Sequence, residues 1–476
     1  MNRLSRRRFL ATGAITAIAT PFARTSHAHP GSTQLRATRR VIEVNGKAAN
    51  VFGLVQPDGR HGIVADADQR FHVQLVNELD EHTLVHWHGL TPPSDQDGVP
   101  ELSQPSLKAG SDYEYDFVLA RPGTNWMHSH VGLQEQQLLA APLIVRNPAD
   151  AARDEQEVVV LLHDFTFRDP AAILAGLSGG MGDMGGMAGM DHSAMESGSM
   201  AEMQPHLNDI EFDAYLANDR TLGDPETVRV EAGGRVRLRI INAASSTNFW
   251  LDLGALSGEL IAVDGHAVTP LAGSRFPLAI AQRADIRLQL PAGAGAYPIL
   301  AVREGDTART GIILATAGAA VARIPDHAEM PTGALDLALE RRLTAADDSF
   351  AGPAARPVRR HVLELTGSMM GFTWGFNGRR FGEDTPLAVR AGERVEIRLV
   401  NRTDMSHPIH LHGHPFQVVA IDDLALGGAM RDTILVPVGG SVTIAFAADN
   451  PGHWAFHCHN LYHMAAGMMT SVRYEG

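Results

Sequence analysis

Three stretches of this chain repeat one pattern, an apolar/polar alternation that closes on asparagine: Phe71-His72-Val73-Gln74-Leu75-Val76-Asn77, Val236-Arg237-Leu238-Arg239-Ile240-Ile241-Asn242 and Val395-Glu396-Ile397-Arg398-Leu399-Val400-Asn401. Side chains at every second position of an extended chain share a face, so each stretch reads as a half-buried strand. Recurrence at domain-length separation marks three related β domains. Short strands, frequent Gly and Pro between them and little helical periodicity point to an all-β chain of three Greek-key β-sandwiches. We place these at residues 35–150, 155–318 and 358–476, with a Pro/Ala-rich, charged connector at 319–357.

Residues 1–28 stand apart. Ser5-Arg6-Arg7-Arg8-Phe9-Leu10 precedes a modest apolar run to Ala19 and a small-residue exit at Ser26-His27-Ala28, the pattern of a twin-arginine export signal. The run is well short of the ~20 residues that a spanning helix needs, so no membrane span is expected after processing. The expected location is the periplasm. Removing this segment takes five arginines and no acid, leaving a chain more acidic than the formal −14 of the whole, which argues against nucleic acid as partner. Export to an oxidising compartment usually brings paired cysteines, yet Cys458 is the only one and no internal disulfide is possible. Its setting, His457-Cys458-His459, suits a thiolate metal ligand.

Counting from each closing asparagine turns the repeat into chemistry. Nine and eleven residues later come His86 and His88 in the first domain, His410 and His412 in the third, but Leu251 and Leu253 in the middle one. The middle domain therefore holds no ligands at those positions, and its expected role is to separate and orient its neighbours. A second alignment, at a constant offset of 329, pairs His128-Ser129-His130 with His457-Cys458-His459, and Gln134 and Leu139 with His463 and Met468. Only the third domain has the Cys, His and Met of a mononuclear metal site.

Residues i and i+2 of a strand face the same way, so each of His86-Trp87-His88, His128-Ser129-His130, His410-Leu411-His412 and His457-Cys458-His459 aims two imidazoles at one cavity. Eight such rings from two facing domains suffice for three metals. Two His, one Cys thiolate and a weak axial Met form the trigonal site that tunes copper for electron transfer. Cys458 faces one metal while its flanking imidazoles face the others, a short covalent path between centres.

With these four clusters the whole mature chain resembles the three-domain multicopper oxidases, the group of laccases and bacterial cuprous oxidases, which implies cupredoxin-like domains and four copper ions. The resemblance assigns His407, Cys458, His463 and Met468 to type 1 copper, His86 and His410 to type 2, His88, His128 and His459 to one type 3 copper, and His130, His412 and His457 to the other. It implies that electrons taken singly at type 1 copper reduce dioxygen to water at the three-copper cluster. Asp97, eleven residues after His86, matches the acid that relays protons beside type 2 copper. The acid that some bacterial cuprous oxidases place directly after the last type 1 histidine is absent, since Met464 follows His463, so a second relay residue must come from elsewhere.

Residues 181–203 form a Gly-rich tract carrying Met181, Met184, Met187, Met190, Met195, Met200 and Met203 with His192. Thioethers favour Cu(I), and Met369, Met370 and Met405 offer a further candidate docking site beside type 1 copper. The tract and the ending His-Asn-Leu-Tyr-His-Met-Ala-Ala-Gly-Met-Met are similar to the copper-resistance protein A branch of the family. The expected activity is that of a monomeric periplasmic oxidase turning Cu(I) into Cu(II). The alternatives are a laccase-like oxidase of phenols, aromatic amines or Mn(II), and an exported copper-binding or scaffold protein without turnover, whose signature would be lost ligands.

Overall fold

The computed structural model describes residues 32–179, 207–346 and 358–475. The export signal, the Met-rich tract with His192 and the end of the connector lie outside them.

Each repeated stretch is a strand, Arg70–Asn77, Arg235–Asn242 and Arg394–Asn401, and each occupies the same place. Each pairs in parallel with the opening strand of its sandwich, respectively Thr33–Val44, Gln156–Phe165 and Val358–Ser368. Each pairs antiparallel on its other side, with Asp112–Val118, Arg283–Gln289 and Ser441–Ala447. Among the described residues the strands form six sheets, two to a sandwich. The inward alternate residues build one apolar core per sandwich, around Leu75 and Trp87, around Leu238 and Ile286, and around Leu399 and Phe456.

The closing asparagine has a structural task. Asn77 Nδ2 donates to the carbonyls of Glu81 and Leu107 while its Oδ1 accepts from Leu79 N. Asn242 makes the same set with Thr247, Leu278 and Ala244, and Asn401 with Met405, Val436 and Thr403. This side-chain turn fixes the start of the loop that leads to the next strand. The interval from asparagine to His-x-His is constant for that reason.

The sandwiches pack into one body. Trp126, Ala140 and Ile144 of the first meet Leu161, Ile241 and Ile280 of the middle, and Val99 of the first meets Ala455 and Met469 of the third. The connector is not loose where it is described: Leu335, Leu337 and Leu343 are buried, and Ala345 bridges to Val268. Among the described residues no helix is long and apolar enough to cross a membrane.

Candidate metal centre

The strand His407–Leu411 runs between Thr433–Val436 and His453–Cys458, with Ile409 opposite Cys458 and His410 opposite His457. In the first sandwich His86 lies opposite His128. Strand alternation then sorts the side chains onto two faces.

On one face Cys458 Sγ lies 3.6 Å from His407 Nδ1 and 3.8 Å from His463 Nδ1, and the two nitrogens are 3.1 Å apart. His463 rides on the short helix Leu461–Ala465, which Asn460 caps by accepting from the backbone of Tyr462 and His463. The chain returns so that Cys458 N donates to the Met468 carbonyl, and Met468 is fully buried. Thr403 Oγ1, whose own proton goes to Asn401 Oδ1 or the Met405 carbonyl, accepts from His407 Nε2, and Asp209 lies 3.0 Å from His463 Nε2. A neutral imidazole that donates at one nitrogen has a lone pair at the other, so His407 aims its Nδ1 lone pair toward the sulfur, and His463 Nδ1 converges on the same point.

The other face gathers eight imidazoles between the first and third sandwiches. His412 Nδ1 donates to Asp97 Oδ2 (2.8 Å) and His457 Nδ1 to its own neighbour's carbonyl at Cys458 (2.9 Å). Their Nε2 atoms therefore meet as lone pairs 3.0 Å apart, with His130 Nε2 3.3 Å from His457 Nε2. His86 and His410 are pinned through Nδ1 to the carbonyls of Asp97 and Asp432, both at 2.8 Å. His128 Nδ1 lies 2.8 Å from Glu135 Oε2, and His459 Nδ1 lies 3.8 Å from Glu135 Oε1. The remaining ring nitrogens, Nε2 of His86, His128, His410 and His459 and Nδ1 of His88, are buried without a hydrogen-bond partner. Five orphaned nitrogens and two clusters of converging lone pairs are costly in an apolar interior and fit bound metal cations, with the opposite nitrogens fixing each ring. Burial, aided by neighbouring rings, holds His88, His128, His130, His407, His410, His412 and His459 well below the ordinary histidine range, and His457 at about 3, so all are neutral imidazoles, the form a metal needs.

Asp97 ends the turn Ser94–Gln96 and is almost fully buried. Gly98 has a φ of +82°, and any Cβ there would lie 1.8 Å from the Val85 carbonyl, so glycine lets the Asp97 loop rest against the His86 strand.

Where the third sandwich has Cys458, His463 and Met468, the first has a satisfied polar knot. Thr83 and Ser129 donate to Gln134 Oε1, Gln134 Nε2 donates to the His82 carbonyl, and Leu139 packs in the core. The three methionines of the candidate docking site sit at different depths: Met405 in the core, Met369 at its edge and Met370 87% exposed.

Sequence profiles described as multicopper oxidase match residues 34–150, 158–322 and 355–475. The chain belongs to the multicopper oxidase family. Multicopper oxidase MmcO of Mycobacterium tuberculosis is 32% identical over 84% of this chain and 79% of its own length. Copper resistance protein A of Escherichia coli is 28% identical over 95% of each. The crystal structure of a multi-copper oxidase from Pseudomonas thermotolerans superposes with a TM-score of 0.69 at 23% identity, covering 93% of this chain and 99% of that one. As a family member the chain is a copper-dependent oxidoreductase of the cupredoxin fold with dioxygen as acceptor.

Four residues at this multicopper oxidase centre escape sequence reasoning: Glu135, Asp209, Arg283 and Asp432. Asp209, Arg283 and Asp432 each reach a histidine or its support in another sandwich, and no interval announces them. Glu135 alone carried a hint, as an acid five residues beyond the His128-Ser129-His130 cluster. Burial, reinforced by the nearby Asp164, pushes its carboxyl well above the usual range.

Proposed function

We propose that this multicopper oxidase is a monomeric, periplasmic copper-tolerance enzyme, exported through its twin-arginine signal, that oxidises Cu(I) to Cu(II) at the expense of dioxygen. His407, Cys458, His463 and Met468 would hold type 1 copper, and His86 and His410 type 2. His88, His128 and His459 would hold one type 3 copper, and His130, His412 and His457 the other. Copper bound in these four places supplies the one-electron steps: four Cu(I) each give up an electron, and dioxygen with four protons becomes two waters.

The observation that carries the reading is the position of Cys458, its sulfur among His407 and His463 and its flanking imidazoles in the cluster behind. The side chains do the rest. Asp97 Oδ2 holds the His412 Nδ1 proton, and its buried Oδ1 is the atom placed to pass a proton toward the cluster. Glu135, its carboxyl raised by burial and lying beside His128, would take the part of the missing domain-three acid. Asp209, six residues beyond Met203 at the end of the Met-rich tract, touches His463, so the tract joins the chain close to the proposed type 1 site. The resemblance to copper resistance protein A over nearly the whole of both chains supports Cu(I) as donor.

Oxygen uptake by copper-loaded protein with Cu(I), a phenol and Mn(II), for the intact chain and for one lacking residues 181–203, tests this. Deletion should slow turnover of Cu(I) selectively. Unchanged Cu(I) oxidation together with dominant phenol turnover would overturn the copper-tolerance reading.

A further inference from the structure

Among the pinned imidazoles of the cluster, His88 is inverted. His86, His410, His412 and His457 are held through Nδ1 and leave Nε2 free, whereas His88 donates through Nε2 to Asp432 Oδ1 (3.0 Å) and leaves Nδ1 orphaned. The free nitrogen is the one nearer Cβ, so the orientation of the ring is decided at its far end, by Asp432. The backbone carbonyl of Asp432 also takes the His410 Nδ1 proton, and the His88 and His410 rings stack at 3.7 Å and 15°. One residue thus sets two imidazoles from two sandwiches.

Asp432 is itself set by the middle sandwich. Arg283 Nη1 and Nη2 donate to its two carboxylate oxygens at 2.7 and 2.5 Å, and Arg283 Nε donates to the Thr124 carbonyl of the first sandwich. The neighbouring Gln282 Nε2 donates to the Thr433 carbonyl. The backbone makes room for the guanidinium: Gly89, next to His88, has a φ of +95°, and a Cβ there would lie 2.6 Å from Arg283 Nη2 and 2.3 Å from Asn125 Oδ1.

We infer that Arg283, from the middle sandwich, is a positioning residue of the dioxygen-reducing centre, acting through Asp432 to aim His88 Nδ1 and His410 Nε2. This rests on the ligand assignment proposed above. A planar fork binding two oxygens in register is not reproduced by a lysine ammonium. The experiment uses copper-loaded full-length wild type, Arg283→Lys and the double variant Arg283→Met/Asp432→Asn, which removes both charges and leaves neither buried and unpaired. Each is titrated with a copper chelator while type 1 copper is followed by its blue absorption and type 2 copper by electron paramagnetic resonance. Loss of a residue that orients ligands weakens metal retention about 10–100-fold. In both variants the type 2 signal should vanish at correspondingly lower chelator, with the blue absorption lost where wild type loses it. Type 2 copper as resistant as in wild type, or both signals loosened by one factor, overturns the inference; if Arg283→Lys does not fold, the double variant decides. A wild type lacking both signals would sink the ligand assignment instead.

Discussion

Cys458 is fully buried, and burial pushes its thiol far above the ordinary range, so at neutral pH the metal-free sulfur keeps its proton. Copper takes the thiolate, so loading releases that proton and affinity at this site rises with pH. Cys458→Ser should therefore give a folded protein with no blue absorption and no oxygen uptake with any donor; a variant that stays blue would place type 1 copper elsewhere. Asp97→Asn asks a different question. The amide oxygen still accepts from His412 Nδ1, so the ring keeps its place, but an amide does not take up and return a proton. Positioned acid–base groups are worth about 10²–10⁴-fold. Stopped-flow bleaching of the blue colour by Cu(I) should proceed at the wild-type rate, and its return under dioxygen should slow by about 10²-fold or more. Equal rates of return would leave Asp97 only its structural bonds.

Among the elements, the asparagine-closed strand is the unit from which both fold and site are built. Its alternation and its interval to the histidines were legible because strand period and side-chain turn are local and stiff. Asp209, Arg283 and Asp432 were not legible, because each acts across sandwiches; His88 and Asp432 are 344 residues apart. Gln134 and Ser129 show the same limit from the other side: the interval found the vacated mononuclear site, and only packing reveals that hydrogen bonds with Thr83 fill it. The turn itself makes a paired prediction. Asn242→Ala and Asn401→Ala each strand two or three buried backbone groups, a loss of roughly 3 kcal/mol from either site. The melts of the metal-free variants should drop alike. Only Asn401→Ala should also weaken blue absorption, since its loop carries Thr403 Oγ1 to His407. If Asn242→Ala fades the blue colour equally, the asparagine stabilises the whole molecule without aiming the ligand loop.

Over the whole molecule, the sandwiches meet across buried imidazole and buried charge as well as apolar surface. Arg431 joins Asp264 of the middle sandwich and Glu340 of the connector, beside the Arg283–Asp432 pair. Burial holds His61, His163 and His414 at about 4 and His457 at about 3, with His88, His128, His130, His410, His412 and His459 also well below their ordinary range. A histidine whose folded value lies below its unfolded one, about 6.5, gains its proton mainly on unfolding. Its stabilisation is whole above that pH and drains as the pH falls. Glu135, Asp164, Asp264 and Glu304, raised by burial, work with the opposite sign, stabilising at low pH and less so as it rises. They are fewer than the histidines, so the histidines set the slope between about pH 6.5 and 4. The thermal midpoint of metal-free protein should accordingly fall as pH drops from 7 to 5. Copper binds the folded state, so the loaded protein should melt higher, and because copper displaces the Cys458 proton its hold weakens as pH falls, so the loaded curve should fall at least as steeply. His61 and His163, outside the proposed ligand set, contribute the same slope in both forms. A metal-free midpoint that holds steady from pH 7 to 5 would mean that the buried imidazoles are not where the acid sensitivity resides.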